Sequence, residues 1–299
     1  MLEGHLGNVK CVEFIGEEGA YLASGSSDNT IRIWKTSDGT CGAVLQGHSS
    51  RVWDLSSSRD GAHLASASAD GTVRLWDVRS HRPSSIATYA LDQSDIYTVS
   101  HHPLQRHLVT GGYDKLVRLV DIGTGEVLKA LAGHRAPVCS TIFNPYGNLV
   151  ISSSKDHTVR FWDMTSGICV NSIGAHQHLG EITSIAISSN GQQLLTCCKD
   201  NSNRLWDLRM LTCKKRFKGH QNTSKNFIRA GFGAKTTVVG GSEDGIVYIW
   251  DTEKGQVLQK LRGHDGIVYE TAWNTNQAVL ASCSEDRTVR LWSYDEKKT

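Results

Sequence analysis

The chain of 299 residues has only four prolines and 29 glycines. So little proline leaves backbone donors free for sheet ladders, and so much glycine suits many tight turns. No apolar run approaches the roughly 18 residues of a membrane-spanning helix. The opening segment Met1 to Lys10 contains no apolar core of the kind a secretory leader carries. None of the eight cysteines forms a Cys-x-x-Cys pair, so zinc-knuckle and thioredoxin-like chemistry is not indicated. Neither sign of charge dominates: 32 basic and 30 acidic residues give +2, which argues against general binding to nucleic acid or membrane surfaces. Phosphate loop, Gly-x-Ser-x-Gly elbow and His-Glu-x-x-His helix are all missing. The cysteines therefore read as small reduced core residues, implying a cytoplasmic or nuclear compartment. Adjacent Cys197 and Cys198 would point to opposite faces of a strand, which disfavours a vicinal disulfide.

What the chain does have is a period. Asp28, Asp70, Asp114, Asp156, Asp200, Asp244 and Asp286 are spaced by 42 or 44 residues. Six residues after each come Trp34, Trp76, Val120, Trp162, Trp206, Trp250 and Trp292. Four residues before each come Ser24, Ser66, Thr110, Ser152, Thr196, Gly240 and Ser282. About 22 to 24 residues before them, Gly-His pairs end at His5, His48, His134, His220 and His264. His178 keeps that spacing after Gln177, and Asp92 falls there in the third repeat. Segments between the markers alternate as strands do, and Asp-Asn or Asp-Gly pairs supply hairpin turns.

Four markers in one phase across seven repeats resemble the WD-repeat family over essentially the whole chain. That resemblance implies an all-β, seven-bladed β-propeller with four-stranded antiparallel blades. The repeats run approximately over 4–46, 47–90, 91–132, 133–176, 177–218, 219–262 and 263–295, all within one domain, 1–299. It also implies a hydrogen-bonded tetrad in each regular blade: His48, Ser66, Asp70 and Trp76; His134, Ser152, Asp156 and Trp162; His264, Ser282, Asp286 and Trp292. These residues are read as structural, not catalytic. The third repeat, with Asp92 and Val120, leaves Asp114 without its usual partners and is expected to be the softest blade. The sixth has Gly240 and two extra residues near Gln221–Ser224, a longer loop and a candidate contact. Few residues precede Gly4 and few follow Trp292, so the seventh blade is expected to lack its outer strand, as in an excised or shortened chain.

Two residues per blade should face one rim of the channel. The inner-strand set is Lys10, Trp53, Tyr97, Cys139, Thr183, Phe227 and Tyr269; the turn set is Ser27, Ala69, Tyr113, Lys155, Lys199, Glu243 and Glu285. Trp53, Tyr97, Tyr113, Phe227 and Tyr269 make the rim aromatic, and Glu243 and Glu285 make part of it acidic. Such a ring could hold an arginine or lysine by stacking and cation–π contact, as in the family's arginine-peptide-binding histone-methyltransferase scaffold; the competing reading is wall packing. On the opposite face Trp76-Asp-Val-Arg79 and Trp206-Asp-Leu-Arg209 resemble the motif by which ubiquitin-ligase substrate receptors dock on the damaged-DNA-binding adaptor. The expected function is a non-catalytic scaffold, monomeric within a hetero-complex, binding proteins or peptides. Alternatives are a ligase receptor using Arg79 or Arg209 and, less favoured, a propeller-hosted enzyme. No cofactor or metal is expected: His101-His102 is a weak metal pair, and His178 is already wanted by the fold. The run Lys214, Lys215, Arg216, Lys218 reads as a solvated outer strand and keeps local nucleic-acid binding as a minor alternative.

Overall fold

The computed structural model describes residues 1–80, 83–104, 107–223 and 226–293; Ser224 and the tail Glu296–Thr299 lie outside the described residues. Among these, 27 strands form six four-stranded antiparallel sheets and one three-stranded sheet. Each sheet is a meander of sequential neighbours, so every repeat builds one blade from local hairpins. Blade 1 shows the pattern, with strands Val9–Ile15, Tyr21–Ser26, Ile31–Lys35 and Cys41–Leu45 running outward from the channel. The residue after each turn aspartate has positive φ: Asn29, Gly71, Lys115, His157, Asn201, Gly245 and Arg287. That left-handed position is what closes a two-residue hairpin, and asparagine or glycine tolerates it best.

A blade cannot bury both its faces alone. Cys11, Ile31, Ile33 and Leu45 of blade 1 pack on Val52, Leu55, Leu64 and Trp76 of blade 2, and the other interfaces repeat this. Inner strands have an unpaired edge, and side chains from the neighbouring blade fill it. Val99 N–H donates to Asp54 at 3.0 Å, Thr141 N–H to Thr98 Oγ1 at 3.1 Å, and Val12 N–H to Glu270 at 3.0 Å. The last of these joins blade 1 to blade 7 and closes the ring.

Blades 1, 2, 4 and 7 hold the full tetrad. In blade 2, His48 Nδ1 lies 2.8 Å from Asp70 and Nε2 lies 2.7 Å from Ser66 Oγ, which also accepts Trp76 Nε1–H at 2.9 Å. A threonine two residues past the aspartate adds a bond of 2.6 Å, as Thr72 does to Asp70. Burial alone would raise these aspartates, but bonds from histidine, threonine and a backbone N–H hold Asp28, Asp70 and Asp156 well below the usual carboxylate range. The stability they confer is complete above the ordinary pKa near 3.8 and is lost as pH falls further.

The other three blades solve the problem differently. Asp114 of blade 3 pairs with Arg118, and Asp200 of blade 5 with Arg204. Asp244 of blade 6 accepts the Tyr248 hydroxyl at 2.7 Å. His178 still bonds Thr196 at 3.0 Å, but its Nδ1 has no partner; His220 has none at either nitrogen. In the regular blades the equivalent arginine instead lies against tryptophan, as Arg160 does 5.9 Å from the Trp162 ring. Asp114 is therefore not abandoned, and the shortest inner strands stand in blade 6, Ala230–Phe232 and Thr237–Gly240.

The seventh blade has three strands, Val268–Asn274, Val279–Ser284 and Val289–Ser293, plus one bridge from Leu2. Leu2 N–H donates to Val289 O at 2.7 Å and Val289 N–H returns at 3.1 Å. Leu2 stands three residues before His5, as Leu45 stands before His48 and Leu131 before His134, so it occupies the last position of the outer strand.

Two outcomes follow from the aspartate partners. Amide hydrogen exchange should be fastest in the inner strands of blade 6 and slowest in blades 1, 2 and 4; equal protection in all blades contradicts the assignment. Arg118→Met should cost about 2 kcal/mol in urea unfolding, because a charge-assisted bond to a half-buried aspartate is lost. Arg160→Met should cost under about 1 kcal/mol, since only its ring contact goes.

Candidate functional site

The inner-strand rim residues do not stand separately around an opening. Trp53, Tyr97 and Phe227 converge from blades 2, 3 and 6, with ring centroids 5.6 Å (Trp53–Tyr97), 5.6 Å (Trp53–Phe227) and 5.1 Å (Tyr97–Phe227) apart. Phe227 follows the sixth-repeat insertion, whose described residues Asn222 and Thr223 are tied to neighbouring turns. Asn222 is fully buried, its N–H donating to Asn201 at 2.7 Å, and Glu243 accepts the Thr223 N–H at 3.1 Å. Trp53 Nε1–H donates to Asp95 at 3.0 Å. Tyr97 and Tyr269 are buried, Trp53 and Phe227 half-buried, and Tyr113 stands exposed and apart. Glu285 is exposed on its turn. Cys139 and Thr183 are buried wall residues.

The ring faces already carry the chain's own cations. Lys10 Nζ sits 3.6 Å from the Tyr269 ring, and Lys155 lies 5.1 Å from Phe227 and 5.8 Å from Tyr97. Lys199 is 6.0 Å from Phe227 and pairs with Glu181 at 2.7 Å. Beneath the rings, Arg229 occupies the channel. Its guanidinium pairs with Asp54 and, at 3.1 Å, with Glu270, and donates to the Trp53 carbonyl at 3.1 Å. Burial opposes the charge, but Asp54 and Glu270 outweigh it and hold Arg229 firmly protonated. Burial, then the Glu270 charge, pushes the Glu13 carboxyl up to about 8. Glu13, Asp54, Arg229 and Glu270 border a channel cavity of about 230 Å³. Above Arg229 lies a second cavity of about 200 Å³, walled by Lys10, Arg51, Trp53, Asn226, Phe227 and Tyr269.

Sequence reasoning missed the Arg229 cluster. Its signal was the charge at inner-strand positions Asp54 and Glu270 where other blades carry Thr98, Ser140 or Ser184, but nothing in the spacing paired those carboxylates with a residue past the sixth-repeat insertion. On the opposite face Arg79 and Arg209 are both exposed. Arg79 donates to the Asp60 carbonyl at 3.0 Å, and Arg209 lies 3.7 Å from Asp207, which Lys214 holds at 2.7 Å. The remaining candidates are structural: His102 bonds the Gly147 carbonyl at 2.9 Å and accepts the Leu104 N–H at 3.0 Å. All eight cysteines are free, Cys197 and Cys198 included, yet Cys41 and Cys213 are exposed on outer strands, not core residues as expected. These two stand at the exposed start of outer strands that bury only their last residue, Leu45 and Phe217, whereas Cys11 lies on an inner strand. No helix among the described residues is long and apolar enough to cross a membrane.

The family model described as WD domain, G-beta repeat matches residues 1–35, 39–77, 84–121, 125–163, 167–207, 211–251 and 255–293. The chain is 31% identical over 306 residues to nuclear distribution protein PAC1 of Coccidioides posadasii, covering 99% of this chain and 59% of that protein. It is 30% identical over 304 residues to the WD repeat-containing protein 26 homolog of Arabidopsis thaliana, covering 99% and 50%. It is 31% identical over 304 residues to the WD repeat-containing protein WDS homolog of the same plant, covering 98% and 56%. The chain thus spans between half and about three fifths of the length of these relatives.

The half-buried carboxyl of Glu13, desolvated in the channel, sets a pH dependence. Folded, Glu13 keeps its proton to about 8; unfolded, it releases near the ordinary 4.5. The folded state binds more protons between those values, so this group's contribution is full below about 4.5 and is lost as pH rises toward 8. Glu13→Gln should flatten that slope and be the more stable protein at the alkaline end. Urea unfolding across the window checks it, and parallel slopes for the two proteins would refute the buried proton.

Proposed function

This chain belongs to the WD-repeat family, and from that premise we propose a non-catalytic interaction scaffold that takes a partner's peptide segment at the ring-capped channel mouth. Propellers of this family serve as platforms for protein binding, and the long relatives fit such a role. The observation that carries the narrower reading is the cavity of about 200 Å³ bounded by Trp53, Phe227 and Tyr269. Pockets with aromatic walls and a few charged groups are where binding energy concentrates. The likeness to an arginine-binding scaffold does not carry its ligand over, because Arg229 already fills the acidic part of the channel. An enzymatic reading gains nothing from the rim thiol: burial pushes Cys139 up to about 12, so it is not a thiolate.

A second reading places a ligase adaptor on the opposite face. Arg209, 70% exposed, and the exposed Arg79 support it by being accessible for an ion pair. Co-precipitation of the adaptor that survives Arg79→Ala with Arg209→Ala would count against it.

The test of the rim is affinity capture from extract with wild type and a Trp53→Ala, Phe227→Ala variant shown to be folded by circular dichroism. Tyr97 and Tyr269 are left intact because both are buried. Loss of a defined set of partners from the variant is expected; an unchanged set overturns the rim reading and moves attention to Arg79 and Arg209.

A further inference from the structure

We propose that the channel-mouth cavity selects an acidic peptide, seating an aspartate or glutamate carboxylate of the partner between Lys10 and Arg51 on the Trp53, Phe227 and Tyr269 rings. This rests on the rim reading and gives the ligand a charge, opposite to the one the aromatic rim suggests by itself.

The lining decides the sign. Three cations, Lys10, Arg51 and Arg229, border the cavity, and no aspartate or glutamate is among its described lining residues. Arg229 is committed to Asp54 and Glu270. Lys10 and Arg51 are not: among the described residues neither has a carboxylate within 4 Å. Each rests on a ring instead, Lys10 at 3.6 Å from Tyr269 and 5.9 Å from Trp53, Arg51 at 5.4 Å from Trp53. A ring face replaces only part of the lost hydration of an ammonium. Lys10 shows the deficit: burial pushes its amine down to about 8, and the nearby Glu285 charge offsets only part of that.

A carboxylate entering between the two cations would meet the charge the cavity lacks and would form charge-assisted hydrogen bonds. An incoming arginine or lysine would meet three like charges and rings whose faces are already covered. The remaining rim cations fit the same picture. Lys199 is neutralised by Glu181, whereas Lys155 lies over Phe227 and Tyr97 beside the cavity and extends the positive field.

The experiment is fluorescence anisotropy with the full chain and an array of labelled peptides. Each peptide is made in three forms, with aspartate or glutamate at its centre, with the matching amide, and with lysine. Wild type should retain acidic members and reject their amide and lysine forms. Lys10→Gln with Arg51→Gln should weaken that binding by about tenfold or more, and the exposed Arg51→Gln alone should weaken it less. Equal binding of an acidic peptide to wild type and the double variant overturns the proposal. So does preference for the lysine form, and so does failure of the wild type to retain any acidic member. Phe227→Ala separates the two readings: if it binds every retained peptide as wild type does, the rim itself is not the site. Loss in Phe227→Ala with no loss in the double glutamine variant leaves the rim and removes the acidic ligand.

Discussion

One hydroxyl per blade holds the regular blades together. Ser66 Oγ accepts the Trp76 N–H and bonds His48, whose other nitrogen faces Asp70. Four segments meet there: the entry loop, the second and third strands, and the turn between them. Because His48 and Ser66 are buried and all four groups are partnered, removing any one leaves another unsatisfied in a largely dry setting. The glycine before the histidine belongs to the same unit. A Cβ on Gly47 would meet Arg74 Nη1 at 2.8 Å and the Trp76 ring at 3.3 Å, so the arginine and tryptophan pack where a side chain would stand.

That crowding explains the irregular blades. Where Leu91 or Gln177 replaces the glycine, the arginine loses its seat and turns to the aspartate, as Arg118 and Arg204 do. Blade 6 keeps Gly219 but has Tyr248 for the arginine and Gly240 for the hydroxyl, so Trp250 donates to the Lys218 carbonyl, and among the described residues His220 has ring contacts but no hydrogen-bond partner. Blade 6 is also the repeat that carries the insertion and places Phe227 and Arg229 in the channel. The local rules fail in the repeat that contributes Phe227 and Arg229 to the candidate site, and departures of this kind mark functional or strained places.

The near-zero net charge conceals this organisation. Asp54 and Glu270 gather low in the channel around one guanidinium, and Lys10 and Arg51, with no carboxylate within 4 Å among the described residues, stand at its mouth. Lys10 and Glu13 stand on one inner strand three residues apart; the register shift between Val9 and Cys11 resets the alternation there, so both border the channel, at different cavities.

The sequence by itself determined the number of blades, their strands and turns, and the partners of the regular aspartates, because these lie within one repeat and obey a fixed spacing. It did not determine that Trp53, Tyr97 and Phe227 touch one another, that lysines cover their faces, or that Arg229 answers Asp54 from 175 residues away. Nor did it show that Leu2 meets Val289 to begin the seventh blade's outer edge. Those contacts cross the ring or close it. Only the tertiary structure decided them, since a repeat fixes the direction in which a side chain leaves its own blade but not what it meets across the channel.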